Sequence, residues 1–198
     1  KSTPGCEAMS DSIYLNLIDT TTVTVNPSVA VCVNANPISV ASQVTPAGGI
    51  FSGLGVTGSN FNPVTAGVGN ANVLYQYTDA NNCISKATLA ITVNDVTPLS
   101  VTIGDADYCS NEISVDVSSF VSPIGGTFSG TGMSGNNFDP ASAIVGNNSI
   151  TYNYTNSNSC TSSTNFTLHV YAPTTLSHSI PSTEYCIGAN PVSLLNVY

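Results

Sequence analysis

A sixteen-residue stretch, Gly-Gly-Ile-Phe-Ser-Gly-Leu-Gly-Val-Thr-Gly-Ser-Asn-Phe-Asn-Pro at residues 48–63, returns as Gly-Gly-Thr-Phe-Ser-Gly-Thr-Gly-Met-Ser-Gly-Asn-Asn-Phe-Asp-Pro at residues 125–140. Ten of the sixteen positions are identical, and the second copy starts at Gly125 where the first starts at Gly48, an offset of 77. The cysteines keep the same offset: Cys6, Cys83 and Cys160 form one series, Cys32, Cys109 and Cys186 the other. Tyr75-Gln76-Tyr77-Thr78 recurs as Tyr152-Asn153-Tyr154-Thr155. A fixed period of this kind makes one structural unit answer to each copy. The expected organisation is therefore the end of one repeat at 1–19, full repeats at 20–96 and 97–173, and the start of another at 174–198. That division is what a window from a longer protein would show.

Within a repeat the pattern is that of short strands. Val73, Tyr75 and Tyr77 alternate with Leu74, Gln76 and Thr78, and Leu89, Ile91 and Val93 alternate with polar neighbours. In the second copy Phe166, Leu168 and Val170 point inward and His169 outward. Asp79-Ala80-Asn81-Asn82 reads as a hairpin turn, and Gly, Asn and Pro punctuate the rest. Residues 13–17 alternate in the same way and suggest a last strand of a preceding unit. No window shows helical periodicity. The expectation is an all-β fold of tandem antiparallel β-sandwich repeats, with Pro98 and Pro173 stiffening the junctions and the units strung out as an extended rod.

The charge content excludes several functions. Lys1 and Lys86 are the only basic residues, against eleven acidic ones, for a net charge of −9. Such a chain cannot neutralise a phosphate backbone, so nucleic acid is excluded as a partner. Nor can it be drawn to an anionic membrane surface. No apolar run is long enough to span a bilayer as a helix.

Six evenly spaced cysteines indicate disulfides and an oxidising compartment. A domain as small as one repeat has a modest core and benefits from such a staple. Two pairings fit the period. One lies within repeats, Cys32 with Cys83 and Cys109 with Cys160, leaving Cys6 and Cys186 to pair outside the window. The other crosses junctions: Cys6 with Cys32, Cys83 with Cys109, Cys160 with Cys186. If Cys83 lies at the pole away from the next unit, the crossing scheme spans more than a domain, which favours the first. It still requires the first connection and the last hairpin to meet.

Sites of reaction or binding are scarce. The glycine-rich stretch lacks the Lys of a phosphate loop and no helix follows it, so its glycines read as bends and close approaches. Asp105 and Asp107 could serve calcium near a junction. The matching positions are Ser28, Ala30, Ser182 and Glu184, so the site would not recur. His169 and His178 have no carboxylate or cysteine at catalytic spacing. Tyr75, Tyr77, Tyr152 and Tyr154 read as core or half-core residues rather than a sugar-binding platform. Asn147, Asn153 and Asn165 begin glycosylation sequons, as chance allows in a chain rich in Asn, Ser and Thr. The reading is of a protein that is not an enzyme and needs no cofactor or metal.

The run G-G-x-F-S-G-x-G, then N-F-x-P, then the Tyr75–Cys83 segment YQYTDANNC, resembles the Ig-like or PKD-like repeats of very large Bacteroidetes-type surface adhesins. Those include gliding-motility adhesins exported by the type IX secretion system. Asn156-Ser157-Asn158-Ser159-Cys160 departs from the pattern at its first residue. The resemblance implies an extracellular, cell-surface stalk that carries out adhesion or gliding, with neighbouring repeats, surface glycans or other copies of itself as partners. It carries no catalytic residues across. Asp11-Ser12-Ile13 and Asp19-Thr20-Thr21 look like the O-glycosylation sequence of such bacteria. A carbohydrate-binding accessory module and a self-assembling filament subunit are the competing readings.

Overall fold

The structure is a computed structural model that describes residues 16–103, 106–174 and 187. The expected strand at 13–17 and most of the expected start of a following repeat lie outside them. The chain divides into two compact units, Lys1–Val96 and Thr97–Tyr198.

The first unit runs β1 (Thr24–Val25), β2 (Val29–Cys32), β3 (Ile38–Ser39), β4 (Val44–Thr45), β5 (Ile50–Ser52), β6 (Val56–Thr57), β7 (Asn60–Phe61), a short helix α1 (Pro63–Ala66), β8 (Gly69–Thr78) and β9 (Ile84–Asn94). The second runs β10 (Ser100–Val101), β11 (Asp107–Cys109), β12 (Val115–Asp116), β13 (Val121–Ser122), β14 (Thr127–Ser129), β15 (Met133–Ser134), β16 (Asn137–Phe138), β17 (Gly146–Thr155) and β18 (Thr161–Tyr171). From β3 to β9 each strand has a counterpart one period on with the same bounds, as Ile38–Ser39 has in Val115–Asp116 and Ile84–Asn94 in Thr161–Tyr171.

In each unit a four-stranded sheet, β2-β9-β8-β5 or β11-β18-β17-β14, accompanies a three-stranded one, β3-β7-β6 or β12-β16-β15. Both sheets of the first unit feed one core. Val73, Leu89, Ile91 and Val93 come from the larger sheet and Phe61 from the smaller, with Val40 between β3 and β4. All of them are essentially inaccessible to solvent. The second unit has rings at three positions where the first has none. Tyr108, Phe120 and Phe166 stand where the first has Val31, Gln43 and Leu89, and Phe166 packs edge-on to both Phe120 and Phe128 at 6.4 Å. The alternation expected along β8, β9 and β18 is realised, with Leu74 and His169 on the outer side.

Two expectations are corrected. The sheets are not purely antiparallel: β2 runs parallel to β9, with Val29 opposite Ile91 and Cys32 opposite Asn94. Likewise β11 runs parallel to β18. A tight turn dictates antiparallel pairing only between consecutive strands. β2 and β9, like β11 and β18, are joined by no such turn, so their direction is set by packing. The second correction is α1. Asn62 caps it, its side-chain oxygen accepting from the Val64 N–H at 3.0 Å, Pro63 opens it, and Gly67 ends it at φ 78°. One turn is too short to leave a helical period in the sequence.

The central tyrosine of each long strand fixes the loop ahead of the edge strand. The Tyr75 hydroxyl donates to the Pro46 carbonyl and accepts from the Gly49 N–H, both at 2.7 Å. Tyr152 does the same with Pro123 at 2.7 Å and Gly126 at 2.8 Å. Both tyrosines are fully buried, each against a phenylalanine ring with centroids 4.7 Å apart. Gly49 is obligatory there, because a Cβ at that position would lie 2.6 Å from the tyrosine oxygen. Tyr75→Phe would leave a buried carbonyl and N–H unpaired. It is expected to destabilise the first unit by about 1–3 kcal/mol, read as a lowered urea midpoint. Gly49→Ala should be at least as damaging, through overlap with the same ring.

Candidate functional site

The features most open to chemistry lie at the two ends of each unit. Each chain segment enters beside the long hairpin. The Ser85 hydroxyl donates to the Thr21 carbonyl at 2.5 Å, and the Ser162 hydroxyl to the Thr97 carbonyl at 2.6 Å. It leaves from the far end of the last strand, where the Val33 N–H donates to the Asn94 carbonyl and the Ser110 N–H to the Tyr171 carbonyl. These are called the inlet and outlet ends below.

Each end carries one cysteine. At the inlet, Asp79 builds the turn that holds Cys83: its Oδ1 accepts from the N–H groups of Asn81 (2.9 Å) and Cys83 (3.0 Å), while Asn82 takes φ 61°. Asn156 builds the same turn for Cys160, accepting from Asn158 and Cys160 at 3.0 Å, with Ser159 at φ 62°. At the outlet, Cys32 and Cys109 end the parallel strands opposite Asn94 and Tyr171. Their carbonyls each accept at 3.0 Å, from Ala35 and Glu112.

This geometry overturns the expected pairs Cys32–Cys83 and Cys109–Cys160. Cys83 and Cys109 are free thiols, whereas Cys32 and Cys160 are disulfide-bonded. The reason is the parallel register. Cys32 lies beside Asn94, a full length of β9 from Cys83, or about 36 Å at the usual rise per residue. Bridged Cα atoms lie within about 7 Å. Residues 20–96 contain no cysteine but Cys32 and Cys83, and residues 97–173 none but Cys109 and Cys160. Cys6 and Cys186 lie outside the described residues.

The other candidates are placed as follows. Asp107 is mostly exposed and 4.0 Å from His169 Nδ1, whose ring stacks on Tyr171 with centroids 4.2 Å apart. Asp105 and His178 lie outside the described residues. Among the described residues no three His, Cys, Asp or Glu side chains converge as a metal site would require. A cavity of about 450 Å³ in the second unit has Glu112 and Asp139 in its wall. Both carboxylates are committed to local turns, Glu112 accepting from the Cys109 N–H and Asp139 from the Ala141 N–H and the Ser142 hydroxyl. A second cavity, of about 410 Å³, is lined by Gly49, Ile50, Phe51, Gly58 and Ser59 and holds no ionisable group. Tyr77 and Tyr154 are half-buried. The sequon residues Asn147 and Asn165 are exposed on strands, and Asn153 is half-buried. Thr20 is exposed, and Thr21 donates weakly to Asp79 at 3.4 Å. Among the described residues no helix is long and apolar enough to cross a membrane.

One polar residue was missed by pattern reading. Asn148 is buried where the first unit has Ala71, and its amide bonds Ile144 N–H, Ile144 C=O and Gly146 C=O. The signal was present, since Asn148 occupies an inward position two residues before Ile150.

No protein-family model matches the chain, and no curated protein matches it significantly.

The inlet turns differ in charge, and that difference is testable. The backbone N–H of Cys83, above all, and that of Asn81 hold the Asp79 carboxyl below its ordinary value of 3.8. A depressed folded pKa stabilises above the unfolded value and is lost as pH falls through the folded one. Acidification should therefore loosen the β8–β9 hairpin and leave the β17–β18 hairpin, built on neutral Asn156, unaffected. Asp79→Asn should remove that acid sensitivity without disturbing the turn. Amide hydrogen exchange at Asn81 and Cys83 against pH reads both outcomes.

Proposed function

We propose that these units are structural stalk repeats of an extracellular, cell-surface adhesin or surface filament, serving adhesion or gliding. They belong to a series of Ig-like β-sandwich repeats of one fixed period arranged as an extended rod. The observation that carries this reading is the parallel pairing of β2 with the last strand, β9, and of β11 with β18. The chain enters at one end of a unit and leaves at the other, and β2 and β9 both run from inlet to outlet. Tension on the two ends pulls β2 back toward the inlet and β9 forward toward the outlet. The ladder between them is then sheared, so its evenly spaced bonds share the load rather than opening in turn. That is the behaviour a stalk under drag requires.

Two further facts support the reading. The same elements appear twice at one fixed offset, and the chain carries disulfide-bonded cysteines. Secretion through an oxidising compartment accounts for the latter. The chemistry-poor surface, without Arg and with two Lys, suits a spacer. The carbohydrate-module reading loses its main aromatics, because Tyr75 and Tyr152 are turned wholly into the core.

Pulling the chain through its termini in a single-molecule trace should give two resolved unfolding peaks, one per unit. Val31→Pro in β2 should lower the peak of the first unit alone, since proline breaks the ladder at the sheared pair. Two units that yield without resistance, or a trace indifferent to Val31→Pro, would remove the mechanical basis of the proposal. Antibody labelling of intact, unpermeabilised cells tests the surface location separately.

A further inference from the structure

Asp139 and Pro140 form the one Asp-Pro peptide bond in the chain, and the first unit carries Asn62 and Pro63 at the matching position. An aspartyl carboxyl lies one methylene from its own main-chain carbonyl. It can attack that carbon and expel the nitrogen of the next residue. A following proline leaves this route open, because its nitrogen has no N–H with which to close the alternative imide ring on the side chain. The rate then depends on how well the fold stabilises the charge that develops on the carbonyl oxygen. Here that oxygen accepts from the Ser142 N–H at 3.2 Å and the Ala143 N–H at 3.1 Å. The Ser142 hydroxyl lies 3.2 Å from it and 2.8 Å from Asp139 Oδ2, while the Ala141 N–H donates to Oδ1 at 3.1 Å. One hydroxyl thus touches both the attacking group and the oxygen that takes up its charge. Asp139 is half-buried and stands in the wall of the cavity of about 450 Å³, whose other lining residues are exposed, so water reaches it.

We propose that the Asp139–Pro140 bond is a self-cleavage site, opened by the Asp139 side chain. A carboxyl oxygen bonds to the Asp139 carbonyl carbon, and the Ser142 hydroxyl turns from the carboxyl to the carbonyl oxygen as charge moves there. The C–N bond breaks, its electron pair stays on the Pro140 nitrogen, and the carboxyl proton goes to that nitrogen. Asp139 is left as a cyclic anhydride. One water molecule opens it and restores the side-chain carboxyl beside a new α-carboxyl. The proton delivered to nitrogen makes the step faster in acid. Glu112 is the other ionisable side chain lining the cavity, with one oxygen on the Cys109 N–H. Asp116, opposite Asn137 on β12, accepts from the Ser118 N–H. The first unit has a carboxamide at Asn62 and Thr65 in place of Ser142, so it is an internal control. The cut falls between β16 and β17, and β17 and β18 stay paired with β14 and β11 across it. The two pieces therefore separate only when the unit is unfolded. The inference concerns one peptide bond and does not rest on the stalk reading.

The test incubates the full 198-residue chain at about pH 4, in the ordinary carboxylate range, with circular dichroism confirming that it is folded. The same chain unfolded in urea at that pH is the reference. Samples are then denatured and weighed by mass spectrometry. The expected products are residues 1–139 and 140–198, their masses summing to the parent plus one water, formed faster from the folded chain than from the unfolded one. In ¹⁸O-water the label should appear in both carboxyls of Asp139, because an anhydride opens at either carbonyl. Asp139→Asn should abolish the cut. Ser142→Ala should slow it about a hundredfold. An intact folded chain, a cut elsewhere, a rate no higher than in urea, or label in the α-carboxyl alone would overturn the proposal. So would an undiminished rate in a folded Ser142→Ala chain. If that variant does not fold, the folded-against-unfolded rates of the unsubstituted chain decide.

Discussion

The pairing of Val29–Cys32 along Ile91–Asn94 is the constraint from which the rest of each unit's behaviour follows. It places β2 beside the last strand, β9, in the same direction. That one choice puts the inlet and outlet at opposite ends and sets the two cysteines of a repeat a strand-length apart. Had β2 run the other way, Cys32 would face toward the long hairpin, and closure within the repeat would have been within reach. The parallel register instead keeps the two cysteines of a repeat apart.

With no sulfur bridge inside the repeat, another interaction must hold the sheets in register. The buried tyrosine hydroxyl fills part of that role. Tyr75 and Tyr152 stand at the middle of the long hairpins and reach across to the loop that leads into the edge strand. A phenolic group supplies both a donor and an acceptor, so it satisfies a carbonyl and an N–H that a hydrophobic residue would leave unpaired. The glycine that receives it allows the ring to approach closely, and a neighbouring phenylalanine covers the ring face. The remainder of the core is tolerant by comparison. The two units fill it differently, the second with more aromatic rings among its aliphatic side chains, around the same strand plan.

The repeat also shows which side chains are interchangeable and why. Asp79 and Asn156 build the same turn because both offer an oxygen to two backbone N–H groups; only the first adds a charge that titrates. Ala71 and Asn148 occupy the same inward position. The asparagine is accommodated because all its bonds go to the nearby Ile144 and Gly146 backbone, so no polar atom of the core needs a distant partner.

The sequence alone determined the repeat period, the all-β character, the faces of β8, β9 and β18, and the long-hairpin turns. Each of these is local: alternation, turn chemistry and repetition are read within a few residues or by comparing two copies. The direction of β2, the one-turn helix and the fate of the cysteines were decided by tertiary structure. The short β2 packs equally well by pattern whichever way it runs, and no tight turn links it to its partner. Disulfide connectivity inherits that ambiguity, since it depends on distances across the sheet that no spacing in the chain encodes.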